Sequence, residues 1–185
     1  MTSFVDFVEN VLRLRDALSM EKFRLSCSVF CDVSKIRSWI LNAILDDVRE
    51  LNLSLLAIHS FVIPQTMFHS SSLVTLKIRM DYHIELPSYV YFPHLKTLQL
   101  PYGQYVDNDF TGKLFSGCPV LEDLALFRLT FTSNIAISSS SLKNLTIHDE
   151  PAFRKFAYDS GCKMSIGATN LTNFEYTVSH PQTRI

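Results

Sequence analysis

Apolar residues recur along the chain in one short spaced pattern, L-x-x-L-x-L, in which other large apolar residues can replace leucine. The pattern occurs seven times, starting at Met20, Val48, Leu73, Leu95, Leu121, Leu142 and Leu171. Successive starts differ by 28, 25, 22, 26, 21 and 29 residues. A repeat of nearly constant length indicates a chain built from similar units that stack on one another.

Every one of these steps falls in the range of roughly 20–29 residues that a leucine-rich repeat occupies. Each connection is long enough to return the chain to the same edge of the sheet, so we expect the strands to be parallel. The spacing therefore predicts an α/β fold, a leucine-rich-repeat solenoid of about seven irregular repeats over residues 20–179. A curved parallel sheet would form its concave side, and helices and irregular segments its convex side.

The segments outside the strands include three candidate helices. Residues 3–18 carry apolar residues at helical spacing, and we expect a capping helix within residues 1–19. Asp32 is a candidate N-cap for a second helix, and Asp107 or Asn108 would begin a third helix that ends at Gly117. The predicted inward face of the second helix consists of Ile36, Trp39, Ile40, Ala43 and Ile44.

The other connections are predicted to be extended segments, turns or loops. Pro64, Pro87 and Pro93 disfavour full helices because proline lacks an N–H and restricts the residue before it. The serine-rich segment 135–142 is predicted to be a convex-side loop, because the repeat resumes on schedule after it. Residues 180–185 are predicted to be a short tail.

Composition narrows the class of protein. The 185 residues carry a net charge of −1, which favours neither nucleic acid nor an acidic membrane surface as a partner. No stretch approaches the ~18 uncharged apolar residues of a membrane span. Asp6 and Glu9 interrupt the apolar start that a secretion signal needs. We therefore expect a cytoplasmic or nuclear location, with no nucleic-acid or membrane partner.

Cysteine and histidine give little support for catalysis or metal binding. The four cysteines are expected to be reduced and mostly buried, since no secretion signal accompanies them. Cys27 and Cys31 have a loose metal-ligand spacing, but no second pair completes a zinc site. The six histidines are scattered, and no nucleophile elbow or phosphate loop occurs. We expect no metal, no cofactor and no enzyme activity.

The strands predict one binding surface. Their apolar positions face the core, and the third, fifth and seventh positions of each copy face the concave side, where they form three rows. Positive charge collects on the early repeats and negative charge on the later ones. Arg79 and Phe127 are the preferred contacts, because arginine and aromatic side chains dominate binding hot spots. The candidate protein-binding residues are Lys22, Arg24, Lys77, Arg79, Gln99, Asp123, Phe127 and His148.

The residues around the strands allow a narrower comparison. Phe92–Leu100 reads FPHLKTLQL, and Phe115–Leu126 reads FSGCPVLEDLAL. The upstream pieces stand in order at Phe4–Leu12, Lys22–Cys27, Ile36–Ile40 and Val48–Leu53. This ordered set resembles the leucine-rich-repeat region of the plant F-box/LRR and F-box/FBD/LRR proteins, from about residue 4 to about residue 176.

The resemblance implies a protein-interaction module similar to those that recognise substrates in Skp–cullin–F-box ubiquitin ligases. No F-box precedes Phe4 and no FBD-type region follows Tyr176 in this sequence, so binding to the ligase adaptor is not expected. The partner would be an unknown protein substrate. Two alternatives stay open: a small-ligand receptor or ligand-binding, enzyme-like repeat protein, and a non-functional truncated gene product.

Overall fold

Strands and helix-side segments alternate along the chain. A computed structural model of the protein describes residues 4–14, 20–27, 32–55, 61–80, 87–101, 110–127, 135–149 and 164–178. The helices are α1 (Phe4–Leu14), α2 (Val33–Leu45) and α3 (Phe110–Gly117), with a short 3-10 helix at Gln65–Phe68. The strands are β1 (Lys22–Cys27), β2 (Glu50–Leu55), β3 (Thr75–Met80), β4 (Thr97–Pro101), β5 (Asp123–Phe127), β6 (Ile135–Ser138), β7 (Asn144–Asp149), β8 (Met164–Gly167) and β9 (Asn173–Val178).

Seven of the strands form one parallel sheet in the order β1-β2-β3-β4-β5-β7-β9. Each of these strands begins at the third position of one copy of the L-x-x-L-x-L pattern. The predicted parallel α/β solenoid is therefore confirmed. The sheet is open, and β1 and β9 form its two edges within the described part of the chain.

The same backbone hydrogen bonds recur at every step of this sheet. The carbonyl oxygen of Glu21, the second residue of the first copy, accepts from the N–H groups of Arg49 and Glu50 at 2.9 Å each. The corresponding carbonyl accepts two N–H groups at each later step, with N···O distances of 2.8–3.1 Å. Each strand thus starts against a fixed acceptor, and all seven strands keep one register.

The core is built from the apolar positions of the repeats. In the second to sixth copies all three apolar residues are buried, as Leu73, Leu76 and Ile78 show. The inward face predicted for α2 is also confirmed: Ile36, Trp39, Ile40 and Ala43 are buried, and Ile44 is half-buried. Stacking of the units buries one continuous apolar layer between the sheet and the helix side, which no single unit could do alone.

The seventh copy differs from the others in its burial. The side chains of Phe174 and Tyr176 in β9 are 52% and 43% exposed, and Leu171 is half-buried. No element of the described chain lies beyond β9 in the sheet. The pattern marks these positions as inward-facing, and their place at the edge of the sheet leaves them exposed.

α2 begins at the predicted cap. The Asp32 carboxylate accepts a hydrogen bond from the Ser34 hydroxyl at 2.6 Å and from the Ser34 N–H at 2.8 Å. The hydroxyl and the N–H, in that order, lower the pKa of Asp32 because both stabilise the ionised carboxylate. The prediction of Asp32 as an N-cap is confirmed.

The other two predicted helices are present. α1 covers residues 4–14 of the predicted 3–18, and the remainder lies outside the described residues. α3 ends at Gly117 as predicted, whereas Asp107 and Asn108 lie outside the described residues. The assignment of residues 1–19 as a cap stays a prediction.

The predicted loop over residues 135–142 is wrong for its first half. Residues 135–138 form β6, which pairs in parallel with β8 from Ile135↔Met164 to Ser138↔Gly167. Ile137 is buried in the core, and α3 contacts β6. The two strands start 29 residues apart in the chain, so no local pattern reveals their pairing. They form a small second sheet on the helix side.

Candidate functional site

The concave face carries the predicted rows of side chains in register. The third-position row is Lys22, Glu50, Thr75, Thr97, Asp123, Asn144 and Asn173, and every neighbouring pair in it is aligned across the sheet. The fifth-position row is Arg24, Asn52, Lys77, Gln99, Ala125, Thr146 and Glu175, with the same alignment. These two predicted rows are confirmed, and they bring the candidate residues onto one face.

The seventh-position row is interrupted between β3 and β4. Their pairing ends at Lys77↔Gln99, two residues before Pro101. Proline has no N–H to donate to the ladder, and Pro101 is buried rather than on the surface. Arg79, which pairs with Ser54 on its other side, is exposed. No pairing of β3 with β4 therefore connects Arg79 to Phe127 and His148, the aromatic residues of the same row.

The positively charged end of the face contains a carboxylate that offsets part of its charge. Lys22 Nζ lies 2.9 Å from Glu50 Oε1, and an Arg24 guanidinium nitrogen lies 3.9 Å from Glu50 Oε2. The Lys22 ammonium is the main cause of a lowered pKa at Glu50. Lys77 and Arg79 on β3 add two more positive charges. The first three strands therefore carry four positively charged side chains and one carboxylate.

A polar ladder crosses the later strands along the third-position row. The Thr97 hydroxyl donates to Asp123 Oδ2 at 3.2 Å, and the Asn144 amide donates to Asp123 Oδ1. The Asn173 amide in turn donates to Asn144 Oδ1. Both oxygens of the Asp123 carboxylate are therefore engaged within the sheet surface. Asp123 lies on the predicted face, and the hydrogen bonds from Thr97 and Asn144 fix the orientation of its carboxylate.

Phe127 and His148 form an aromatic pair on neighbouring strands. They are aligned in the pairing of β5 with β7, their ring centroids lie 4.6 Å apart, and their ring planes differ by 19°. Both side chains are half-buried. The stacked rings present a flat apolar surface with a polar imidazole edge, a combination that suits a binding anchor. The role of this pair as an anchor stays a prediction.

The rim of the sheet carries an ion-pair chain that sequence reasoning missed. Lys143 Nζ lies 2.8 Å from Glu122 Oε2, and Lys96 Nζ lies 3.3 Å from Glu122 Oε1. Lys143 first and Lys96 second lower the pKa of Glu122, and Glu122 raises the pKa of Lys143. The three residues occupy the second position of successive copies, so their alternating charges were readable from the repeat alignment.

A second missed feature is an exposed aromatic cluster on the segments between strands. The Tyr89 ring lies 5.4 Å from the His69 ring and 6.3 Å from the Tyr91 ring, measured between centroids. A parallel bridge between His69 and Tyr91 aligns these segments. The cluster falls outside the L-x-x-L-x-L positions, and the repeat therefore gives no indication of it.

Metal-ligating and nucleophilic groups are sparse in the described part of the chain. Among the described residues, no group of three or more His, Cys, Asp or Glu side chains is placed to hold a metal ion. Cys27 and Cys118 are buried, as predicted, while Cys31 and Cys162 lie outside the described residues. None of the described helices has the length and apolar character of a membrane span.

Comparison with known proteins identifies the family. A family model for the leucine-rich repeats of FBD-associated F-box protein At5g56370 matches residues 36–160, more than half of the chain. The F-box/LRR-repeat protein At3g59200 of Arabidopsis thaliana is 34% identical over 182 residues, which cover 95% of this chain and 34% of that protein. The putative F-box/FBD/LRR-repeat protein At3g59240 of the same plant is 37% identical over 178 residues, which cover 94% of this chain and 34% of that protein. The chain belongs to the F-box/LRR-repeat family. No solved structure matches it significantly.

Membership of the F-box/LRR-repeat family confirms the resemblance read from the segments between the strands. The chain spans about a third of the length of the curated relatives it matches. The names of these F-box/LRR-repeat relatives state an F-box and repeats, and they state no reaction. The family model matches this chain over residues 36–160, which contain most of the strands of the seven-stranded sheet.

Proposed function

We propose that the concave face of this F-box/LRR-repeat chain recognises another protein. The common register of the seven strands is the observation that carries the proposal, because it aligns rows of polar, charged and aromatic side chains on one surface. The buried side of α2 packs on the opposite, apolar side of the sheet. An extended surface of this kind suits a protein partner better than a small ligand, which needs an enclosed pocket.

The face offers three kinds of contact in order along the sheet. Lys77 and Arg79 provide positive charge at the early strands. The hydrogen-bonded side chains of Thr97, Asp123 and Asn144 provide polar groups of fixed orientation. Phe127 and His148 provide an aromatic anchor. Charge complementarity orients a partner during encounter, and aromatic groups contribute most to affinity. Arg79 and Phe127 are therefore the side chains whose loss should matter most.

Proximity labelling in plant cells tests this proposal. The chain is fused to a promiscuous biotin ligase and compared with the double variant R79A/F127A and with Y89A. Tyr89 is a matched aromatic control, because it is 60% exposed and lies outside the seven-stranded sheet. We expect a set of proteins labelled by the wild type and by Y89A and lost from R79A/F127A.

The leading labelled protein is then purified and its affinity for each variant is measured by calorimetry. We expect F127A to weaken binding at least about tenfold, which is the scale of a hot-spot residue. Labelling that never exceeds background, or partners that bind R79A/F127A as tightly as the wild type, would contradict recognition by the concave face.

We further propose that the bound protein is a substrate for ubiquitin transfer when such a repeat array is joined to an F-box. The support is the F-box in the names of the relatives. Fusing the F-box segment of the relative At3g59200 to this chain should shorten the half-life of the bound protein in a Phe127-dependent manner. An unchanged half-life would contradict the ligase role and leave protein recognition intact.

The chain alone is proposed not to bind the ligase adaptor. Size-exclusion chromatography of the purified chain mixed with a plant Skp-type adaptor should give two separate peaks. A stable complex would show that residues 1–185 contain an adaptor site.

A further inference from the structure

A groove runs along the outer edge of β1. It encloses about 450 Å³ and is lined on one side by α1, including Phe7 and Val11, and on the other by the five consecutive residues Lys22–Ser26. Side chains of a strand alternate between its two faces. A groove that touches five residues in a row therefore follows the strand's edge and not one of its faces.

The backbone of β1 has hydrogen-bonding groups directed toward this groove. The Glu21 carbonyl accepts from Glu50 N, so the parallel ladder directs the polar groups of Phe23 and Leu25 toward β2. The alternate residues, Lys22 and Arg24, then direct their N–H and C=O groups away from β2. No described strand pairs with this side of β1.

The far wall of the groove is apolar and held in place. The Phe4 ring packs edge-on against Trp39 of α2 with centroids 6.1 Å apart, and Lys35 Nζ pairs with Glu9 Oε1 at 2.5 Å. These contacts anchor α1 to α2. They leave Phe7 61% exposed and Val11 53% exposed.

The opposite edge of the sheet carries a strand of matching chemistry. β9 alternates the polar residues Asn173, Glu175 and Thr177 with the apolar residues Phe174, Tyr176 and Val178. The apolar three are 52%, 43% and 43% exposed. Among the described strands, β9 pairs only with β7. It is therefore an extended segment that has one polar face with Glu175 at its centre, one apolar face and an edge that no described strand occupies.

We propose that β9 of one copy of this chain occupies the β1 groove of a second copy and continues the parallel sheet. Position-matched pairing would set Glu175 opposite Arg24, whose side chain is 71% exposed and lies 3.9 Å from the Glu50 carboxylate. The same register turns Phe174 and Val178 toward the apolar wall at Phe7 and Val11. Charge and apolar surface are thus complementary in one alignment.

The contact is head-to-tail, because it joins two different ends of the molecule. Each copy can use both ends, so the copies would form longer chains as the concentration rises. They would form a ring instead if the rotation between neighbouring copies brings the last copy back to the first. The contact leaves Phe127 and His148 uncovered on the concave face. It uses Arg24 from the candidate binding residues but not the aromatic pair, and it would extend the recognition surface over several copies.

Sedimentation analysis of the purified chain over a wide concentration range tests this proposal. The wild type should show an average mass that rises above the 21.2 kDa of one chain. R24E and E175R should each weaken association at least tenfold, because each places like charges in contact. Mixing the two variants should restore association, since each supplies the charge that the other lacks.

R37E is the matched control, because Arg37 is an exposed arginine of α2 outside the groove. R37E and F127A should associate as the wild type does. A wild type that stays at 21.2 kDa at every concentration overturns the proposal, and so does association that R24E and E175R leave unchanged or that mixing fails to restore. If R24E or E175R loses the circular dichroism signal of the folded chain, R24Q and E175Q are measured instead. Association of R24Q and E175Q as strong as that of the wild type would also overturn the proposal.

Discussion

Cys118 shows how a reactive residue type serves as a core residue in this chain. Its side chain is buried, and its carbonyl accepts from Leu121 N at 3.2 Å in the turn that begins the fifth repeat. Burial raises the pKa of the Cys118 thiol to about 12. The thiolate is the nucleophilic form of cysteine, so the group is almost entirely unreactive at neutral pH.

Cys118 should therefore be protected from alkylation in the folded chain. We expect iodoacetamide at pH 7.5 to label it at least tenfold more slowly in buffer than in guanidinium chloride, because the fold excludes the reagent and holds the thiol protonated. Mass spectrometry of the peptide that contains Cys118 provides the rate. Equal rates in the two conditions would show an accessible thiol.

Asp32 gives a pH-dependent prediction at the start of α2. Its folded pKa lies below the ordinary value of 3.8 because the Ser34 hydroxyl and N–H stabilise the carboxylate. A carboxyl group with a depressed folded pKa stabilises the fold above its unfolded pKa, and this contribution is lost as the pH falls through the folded pKa. D32A should lower the melting temperature at pH 7 by about 2–4 °C.

D32N is the control for this cap, since asparagine also accepts a hydrogen bond from the backbone at an N-cap. The melting temperature of D32N at pH 7 should lie close to that of the wild type. The difference between wild type and D32A should shrink as the pH falls below 3.8. A difference that grows on acidification would contradict the assigned direction of the pKa.

At the scale of elements, α3 is fixed to the preceding repeat by a close backbone approach at Gly117. Phe92 N donates to Gly117 O at 2.8 Å. A Cβ atom at residue 117 would lie 2.2 Å from Val90 O and 2.7 Å from Val90 C. Because both neighbours are backbone atoms, a side chain there requires the two segments to separate.

G117A should therefore destabilise the fold by about 1–3 kcal/mol, the usual cost of forcing an extra methyl group into a packed site. The free energy of unfolding in urea provides the measurement. G167A is the matched control, since the nearest atoms to its added Cβ lie 3.8 and 3.9 Å away. Equal losses in the two variants would contradict the close approach at Gly117.

At the scale of the whole molecule, burial changes along the solenoid. Leu76 in β3 is fully buried between neighbouring repeats, while Phe174 at the equivalent position of β9 is 52% exposed. In a stacked array each unit is stabilised by the neighbours on its two sides. A position at the edge of the sheet therefore has less apolar contact to lose.

L76A should cost about 2–5 kcal/mol in the free energy of unfolding, as expected for a fully buried leucine. F174A should cost less than L76A although phenylalanine is the larger side chain, because half of its surface is already in water. Urea unfolding at a low protein concentration measures both values without self-association. A larger loss for F174A would show that β9 is covered in the free chain.

The sequence by itself determined the repeat, the strands and the two faces of the sheet. Strands begin at Lys22, Glu50 and Thr75, where the pattern places them, and Asp32 caps α2. These features depend on local rules: the alternation of side chains along a strand, the length of one repeat and the chemistry of a helix end. These rules act within a strand, at a helix end or over a single repeat, so one sequence is enough to apply them.

Only the tertiary structure decided which aligned side chains bond to one another and which segments outside the pattern pair. It paired β6 with β8, engaged Asp123 between Thr97 and Asn144, and left the apolar side of β9 exposed. The partners in these contacts stand more than 20 residues apart in the chain. The repeat alignment places Thr97, Asp123 and Asn144 in one row, but their hydrogen bonds, the pairing of β6 with β8 and the exposure of β9 depend on how the repeats stack.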